Sequence, residues 1–422
     1  MRPRQAHIDD TKKNPKRIHR LLTAPVSLKV KNFRLLWLSM FGSYNAMQMQ
    51  MVANGWLVYD MTGSPFALGM VSAGWGIPVV LFSLFGGAVA DRVLKRKLLV
   101  IVQTALFLLT LCLALLIKTG HIAIWHLVIS SILMGGFLSF SMPARQAFIV
   151  DLVGKDDQLN AIALGSLASN FCRVASPALA GLLLKFIGVP GVYGIIVLSN
   201  LAVILLLLLI PRGQGAMTAR PNVPLLPDVV AGLRYVRGNR IILSLLAFAF
   251  IPVLGAMPYQ MLLPVFARSI FKAGETGLGL LMSSIGLGAL LGSGLITSLG
   301  RFRFKGRLMF LSGTMFGLFL VLFSLMPVIP PACLCLVFIG AGSSMALTLI
   351  NSLIMSNTPR ELVGRVMSIF TMTYGLMPLW TLPAGILAEI VGAPATVAAG
   401  GILLTACFIG GFALRPDLRK LA

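Results

Sequence analysis

The polar residues set inside long apolar stretches are the ones with chemistry to do. Arg173 sits in such a stretch. Ser166, Asn170, Arg173, Pro177 and Gly181 follow one another in steps of four, three, four and four, so a helix carries them on one face. A cation at that depth is costly and faces protein or a watery cavity. It can bind an anionic group or tie helices together, or it can be satisfied by carbonyls and neighbouring amides. Asn45, Gln48, Gln50 and Asn54 crowd the first apolar stretch, where interhelical hydrogen bonds worth about 1 kcal/mol each are one reading. Gln260 is a further cavity candidate, whereas Gln103 and Asn200 read as packing groups. The 21 methionines and 25 phenylalanines suit an adaptable apolar pocket as well as an ordinary membrane core.

Other chemistry finds no cluster to work with. The twelve acids fall in tails, loops or helix ends, and His7, His19, His121 and His126 are scattered. The sequence contains no G-x-x-x-x-G-K-[ST] loop for ATP phosphates. Cys112, Cys172, Cys333, Cys335 and Cys407 all lie in apolar segments and read as packing residues, not disulfides or metal ligands. An enzyme, a cofactor and a bound metal are therefore not expected.

The elements that must position these residues are membrane helices. Of the 422 residues 57% are hydrophobic and 11% charged, with mean hydropathy +0.92, and a soluble domain carries about 25% charge. Leu98–Ile117 and Gly191–Ile210 run almost without charge for the roughly 20 residues that cross a hydrocarbon core of about 30 Å. Polar breaks divide the chain into twelve spans: 35–59, 66–90, 98–117, 122–144, 160–187, 191–211, 241–267, 276–299, 307–326, 329–352, 362–388 and 394–414. These runs do not alternate apolar with polar as a β-barrel requires, so an all-α membrane protein is expected.

Charge orients the spans. With the N-terminus inside, the inner segments hold 30 of the 35 Lys and Arg, Arg145 among them. The outer segments hold Lys118, Lys185, Arg268 and Lys272, which places both termini in the cytoplasm. Ten of the basic residues precede residue 35. That tail explains much of the net charge of +23 without nucleic acid, since no Arg-rich helix interleaved with aromatics follows. It is too long for a signal peptide and leads to no cleavage site, so the whole chain reads as mature. The expected organisation is a basic tail 1–34, a six-helix bundle 35–211, a cytoplasmic linker 212–240, a second bundle 241–414 and a short tail 415–422. Within the linker, Val229–Arg237 has the pattern of a short interfacial helix with Tyr235 on its apolar side.

The two bundles are related. A shift of 204 residues aligns Ala180-Gly181-Leu-Leu-Leu-Lys-Phe-Ile-Gly188-Val-Pro190 with Ala384-Gly385-Ile-Leu-Ala-Glu-Ile-Val-Gly392-Ala-Pro394. Six helices is an even number, so both halves keep one orientation, and a substrate site between them near mid-membrane is expected.

After the second span comes Gly87-Ala-Val-Ala-Asp91-Arg92-Val-Leu94-Lys95-Arg96-Lys97-Leu-Leu99. It resembles the loop signature G-x-x-x-D-R-x-G-R-[RK]-x-x-L of the major facilitator superfamily, with Leu94 where the family has glycine. In the second half Ser298 stands where the first has Asp91. Leu36-Trp37, Trp56-Leu-Val-Tyr59, Thr62-Gly-Ser-Pro65, Pro143-Ala-Arg-Gln146, Asn160-Ala161, Pro177-Ala-Leu-Ala-Gly181 and Gly364-Arg365-Val366-Met367 are similar to the exporter branch that includes enterobactin and macrolide efflux proteins.

The resemblance implies a 12-helix major facilitator fold of two parallel six-helix repeats, working by alternating access in a bacterial inner membrane as a monomer. It implies export of small hydrophobic or amphipathic organic compounds, drug- or siderophore-like, with uptake or a non-transporting membrane scaffold as alternatives. Protons are the coupling ion it suggests, though no acid lies mid-membrane. Since the first helix lines the central cavity in this superfamily, Asn45 and Gln48 become substrate-cavity candidates beside Asn170, Arg173 and Gln260. Gly87, Asp91, Arg92, Lys95 and Arg96 become a latch joining the cytoplasmic ends of the halves when the protein faces outward.

Overall fold

A computed structural model describes residues 26–211, 233–298, 304–359, 362–363, 365–367, 369–370 and 377–421, with backbone alone at 80, 83–92, 155–156, 159 and 377–379. The first 25 residues, most of the linker and residues 299–303 of the second-half counterpart of the signature loop lie outside these.

The described chain is helical. In the first half α1 is Lys31–Thr62, α2 Pro65–Arg92, α3 Lys95–Lys118 and α4 Ile124–Gly154. Then α5 (160–187) and α6 (189–208) follow one another across Gly188. In the second half α7 is Arg240–Gly255, α8 Tyr259–Val265, α9 Gly274–Ser298, α10 Lys305–Ser324, α11 Ile329–Ser356, α12 Met377–Val391 and α13 Ala393–Leu414. A four-residue α14, Pro416–Arg419, ends the described chain. Eight described helical runs are long and apolar enough to cross a membrane. Their outward faces bear large apolar side chains, among them Phe186, Leu108 and Leu311, which suits lipid and would be an aggregation hazard in water.

Turn chemistry sets several boundaries. Gly188 (φ 65°) turns α5 into α6, and Gly392 (φ 88°) stands between α12 and α13. These two are partners under the 204-residue shift, so the repeat read from sequence reappears as a repeated left-handed turn, each followed within two residues by proline. Asn239 caps α7, its Oδ1 accepting from the Ile241 and Ile242 amides at 3.1 and 3.2 Å. Pro252, unable to donate, precedes the break at 256–258 that separates α7 from α8, and a π-helical turn, Phe266–Ile270, extends α8.

Each half has its own fastenings at the end carrying the basic loops, here the basic face. Lys95, 2% exposed, donates to Asp151 on α4 at 2.6 Å. Arg96 donates through Nε to the Leu207 carbonyl and through a terminal nitrogen to the Leu208 carbonyl, at 3.1 and 2.8 Å. A cation thereby satisfies the last carbonyls of α6. In the second half Arg415 bonds Asp417 and the Arg240 carbonyl.

The halves meet along two seams, α5 against α9 and α2 against α12. Glycines let the backbones close up: a Cβ on Gly279 would lie 2.6 Å from the Pro177 carbonyl oxygen, and one on Gly385 would lie 2.9 Å from that of Pro65. Gly181 faces Gly279, and Gly385 faces Gly69. Gly181 and Gly385 are again partners in the repeat, so the two seams are copies of one contact.

Candidate functional site

Two adjoining cavities share Met47, Gln50, Trp75 and Met134; the first lies between the halves, and the described lining of the second comes from the first half alone. The one toward the far face, where α1 ends and α2 begins, has a volume of about 250 Å3. Its wall is unusually rich in methionine: Met47, Met51, Met134, Met257, Met261 and Met282 all line it. Gln50, Asn54 and Gln260 supply the amides, and Thr381 of α12 and Leu278 of α9 close it from the second half. The break between α7 and α8 matters here, because it brings Met257, Gln260 and Met261 to the wall. Flexible thioethers on rotatable stems fit apolar bodies of varied shape. The second cavity, about 240 Å3, runs toward the basic face between α1, α3, α4 and α6, from Gln50 and Trp75 to Met40, Pro143 and Ile149.

Polar ties between the halves gather at the far face. Glu389 at the end of α12 accepts from Ser64 Oγ at 2.9 Å and from the Phe66 amide at 3.2 Å, capping the start of α2. Asp60 forms an ion pair with Arg268, whose guanidinium also lies 5.7 Å from the Trp56 ring. Tyr59 and Ser269 share a hydrogen bond of 2.8 Å, and Thr381 Oγ1 donates to the Gly69 carbonyl. The π-helical turn after α8 presents Arg268 and Ser269 to α1. The ties thus cluster at the far face, and the second cavity runs from the far one toward the basic end.

The residues singled out in the sequence fall in different places. Gln260 lines the far cavity. Asn45 accepts from Ser176 Oγ of α5 at 2.7 Å, an interhelical bond within the first half, and neither it nor Gln48 lines the two cavities. Asn170 lines a separate, more polar pocket of about 290 Å3 with Tyr44, Gln146, Ser166 and Ser169. Arg173 is exposed, with its backbone carbonyl packed on Gly286 of α9. The face Ser166–Gly181 thus runs along the α5–α9 seam, tight at Pro177 and Gly181 and parted at Ser166 and Asn170. Of the expected latch, Lys95 and Arg96 engage partners in their own half, while the side chains of Asp91 and Arg92 lie outside the description, and so does Gly87 apart from its helical backbone.

Two readings need correction. Arg145 is not in a loop: α4 continues to Gly154, leaving Arg145 nine residues inside the helix and on the cavity wall. The polar pair Arg145-Gln146 marked the end of the expected span 122–144, but the apolar run Ala147-Phe148-Ile149-Val150 keeps the helix going. Gln103 and Asn200 do more than pack. Arg145 donates to Ser43 Oγ (2.7 Å), Ser43 to Gln103 Oε1 (3.3 Å), Gln103 Nε2 to Asn200 Oδ1 (2.8 Å) and Asn200 Nδ2 to Thr110 Oγ1 (3.1 Å). This chain links α4, α1, α3 and α6.

Known proteins match this architecture. The family described as transmembrane secretion effector matches residues 22–420. The Staphyloferrin A transporter of Staphylococcus aureus is 28% identical over 82% of this chain and 87% of its own. The enterobactin exporter EntS of Salmonella typhimurium is 27% identical over 80% and 81% respectively. Among solved structures, the nucleoside transporter NupG superposes with a TM-score of 0.73 over 90% of this chain and 99% of its own, at 14% identity. The D-xylose-proton symporter gives 0.69 over 93% and 99%, also at 14% identity.

Proposed function

The chain belongs to the transmembrane secretion effector family of the major facilitator superfamily, and from that footing we propose that it exports siderophore-like amphipathic organic molecules by alternating access. The observation that carries this is the methionine-walled cavity between two halves tied together at the far face, continued toward the basic face by a second cavity in the first half. A molecule of mixed polarity fits such a wall, where apolar contact supplies affinity and a few amides supply orientation.

The positive charge at the basic face supports an orientation with that face and both termini in the cytoplasm, in a bacterial inner membrane. The described state is then open inward and sealed outward by Glu389, Asp60, Arg268 and the glycine seams. Lys95 and Arg96 fasten their own half in this state, as a latch between the halves would when disengaged. The protein works as a monomer, two bundles 35–211 and 241–414 rocking about the seams. Protons are the coupling ion that the family implies.

Cells overproducing the protein are expected to retain less of an amphipathic dye or antibiotic, and Asp91→Asn is expected to abolish the difference. An unchanged accumulation across a broad panel would end the export reading. An uncoupler of the proton gradient is expected to stop efflux; efflux that persists would rule out protons. A tag near residue 220 reachable from outside intact cells would overturn the topology.

A further inference from the structure

We infer that Arg145 and Gln50 form a recognition site for an oxygen anion on the transported molecule, so that the preferred substrates are amphiphiles with an apolar body and a carboxylate-like head. This rests on the export reading and names the substrate class for the same chamber.

The argument begins with the cost of the cation. Arg145 stands inside a membrane helix, and among the described residues no carboxylate comes within 4 Å of it. Asp151, further along α4, is held by Lys95. A lone guanidinium at such depth persists where it faces a cavity that water or an anion can enter, and Arg145 lines one. Of its five N–H donors, Ser43 takes one. The hydrogen bonds beyond Ser43 all run in one direction, each oxygen turned back toward the arginine, so the Gln103–Asn200–Thr110 chain fixes the guanidinium without neutralising it. Its remaining donors are left for an acceptor.

A second observation points the same way. Gln50, one of the residues shared by the two cavities, is 3% exposed, yet among the described residues its Nε2 has no partner with hydrogen-bond geometry. The nearby Tyr193 hydroxyl is turned to Asn54 Oδ1. A buried amide donor without an acceptor costs about 1–3 kcal/mol and is uncommon. Two donors on one continuous wall, one charged and one neutral, want the same thing: an oxygen-rich acceptor. The methionines on the far-face side would then hold the apolar body.

The test uses two xanthene dyes of similar body and opposite charge, fluorescein and rhodamine 6G, with fluorescence anisotropy on the purified full chain. Arg145→Gln is expected to weaken fluorescein binding about tenfold or more and to leave rhodamine 6G within about twofold. Arg145→Lys keeps the charge and recovers part of the loss, and Gln50→Leu gives a smaller loss of the same selectivity. The site is overturned if wild-type protein fails to bind fluorescein, if Arg145→Gln binds it as wild type does, or if both dyes lose affinity equally. Efflux of the same dyes from cells separates the two claims. Binding that depends on Arg145 without efflux would sink the export reading and keep the site; efflux of fluorescein indifferent to Arg145 would do the reverse.

Discussion

Replacing Gly279 by alanine should drive a wedge into the outer seam. The added Cβ would lie 2.6 Å from the Pro177 carbonyl oxygen, and ordinary contact begins at 3.4 Å, so α5 and α9 must separate by 3.4 − 2.6 = 0.8 Å. The opposing atoms are backbone atoms of Pro177 and Gly181 and cannot swing aside as a side chain would. Overpacking of this size costs about 1–3 kcal/mol. The cost falls only on the state with the far face closed, so the ratio of closed to open shifts about 5- to 150-fold. The assay is a single cysteine at Ser72, on the cavity wall, with Cys112, Cys172, Cys333, Cys335 and Cys407 replaced. Labelling by an impermeant maleimide applied to intact cells is expected to accelerate at least about fivefold. Gly410→Ala is the control, because nothing lies within 4 Å of its added Cβ. Wild-type labelling by a normally abundant Gly279→Ala protein would refute the reasoning.

Three further outcomes are expected. Glu389→Gln weakens the charge-assisted cap on α2; the site is exposed, so a shift of about 0.5–1 kcal/mol, two- to fivefold in the same labelling assay, is the scale. Lys95→Met removes a charge-assisted hydrogen bond to a carboxylate that water can reach, and should lower thermal stability by about 1–2 kcal/mol in a melting measurement. Hydrogen bonds from Arg415, with its charge, hold the Asp417 carboxyl below the usual carboxylate range. A group whose folded-state pKa is depressed stabilises above its unfolded value of about 3.9 and loses that contribution as pH falls through the lower, folded value. The pair is well solvated and worth at most about 1 kcal/mol, so Asp417→Asn should lower the melting temperature slightly at neutral pH and not at all in strong acid.

The gross architecture was legible because its causes are local. Lipid demands helices about 20 residues long, and the 204-residue shift showed itself in Gly188, Gly392 and their prolines before any coordinate did. The face Ser166–Gly181 was readable because its spacing follows one side of a helix, though its role as a seam with α9 needed the partner. The site itself was less legible. Arg145 was misplaced because the polar pair Arg145-Gln146 looks like the end of an apolar span, whereas a cavity wall can hold polar groups inside a helix that continues to Gly154. Gln103 and Asn200 are 97 residues apart, and nothing local announces that they bond. The outer ties of Asp60 to Arg268 and of Ser64 to Glu389 join residues 208 and 325 positions apart, so they appear only once the halves are assembled.

The fastenings of Lys95 to Asp151 and of Arg96 to the end of α6 are internal to one bundle, and those of Arg415 are internal to the other. A rocking motion that leaves them intact breaks none of the strong interactions inside either body. Gating and selectivity then reside in separate sets of atoms: the first in glycines and a few outer polar groups, the second in the thioethers and donors of the chamber. Lineages can therefore retune what is carried by exchanging wall residues one at a time, without relearning how to open.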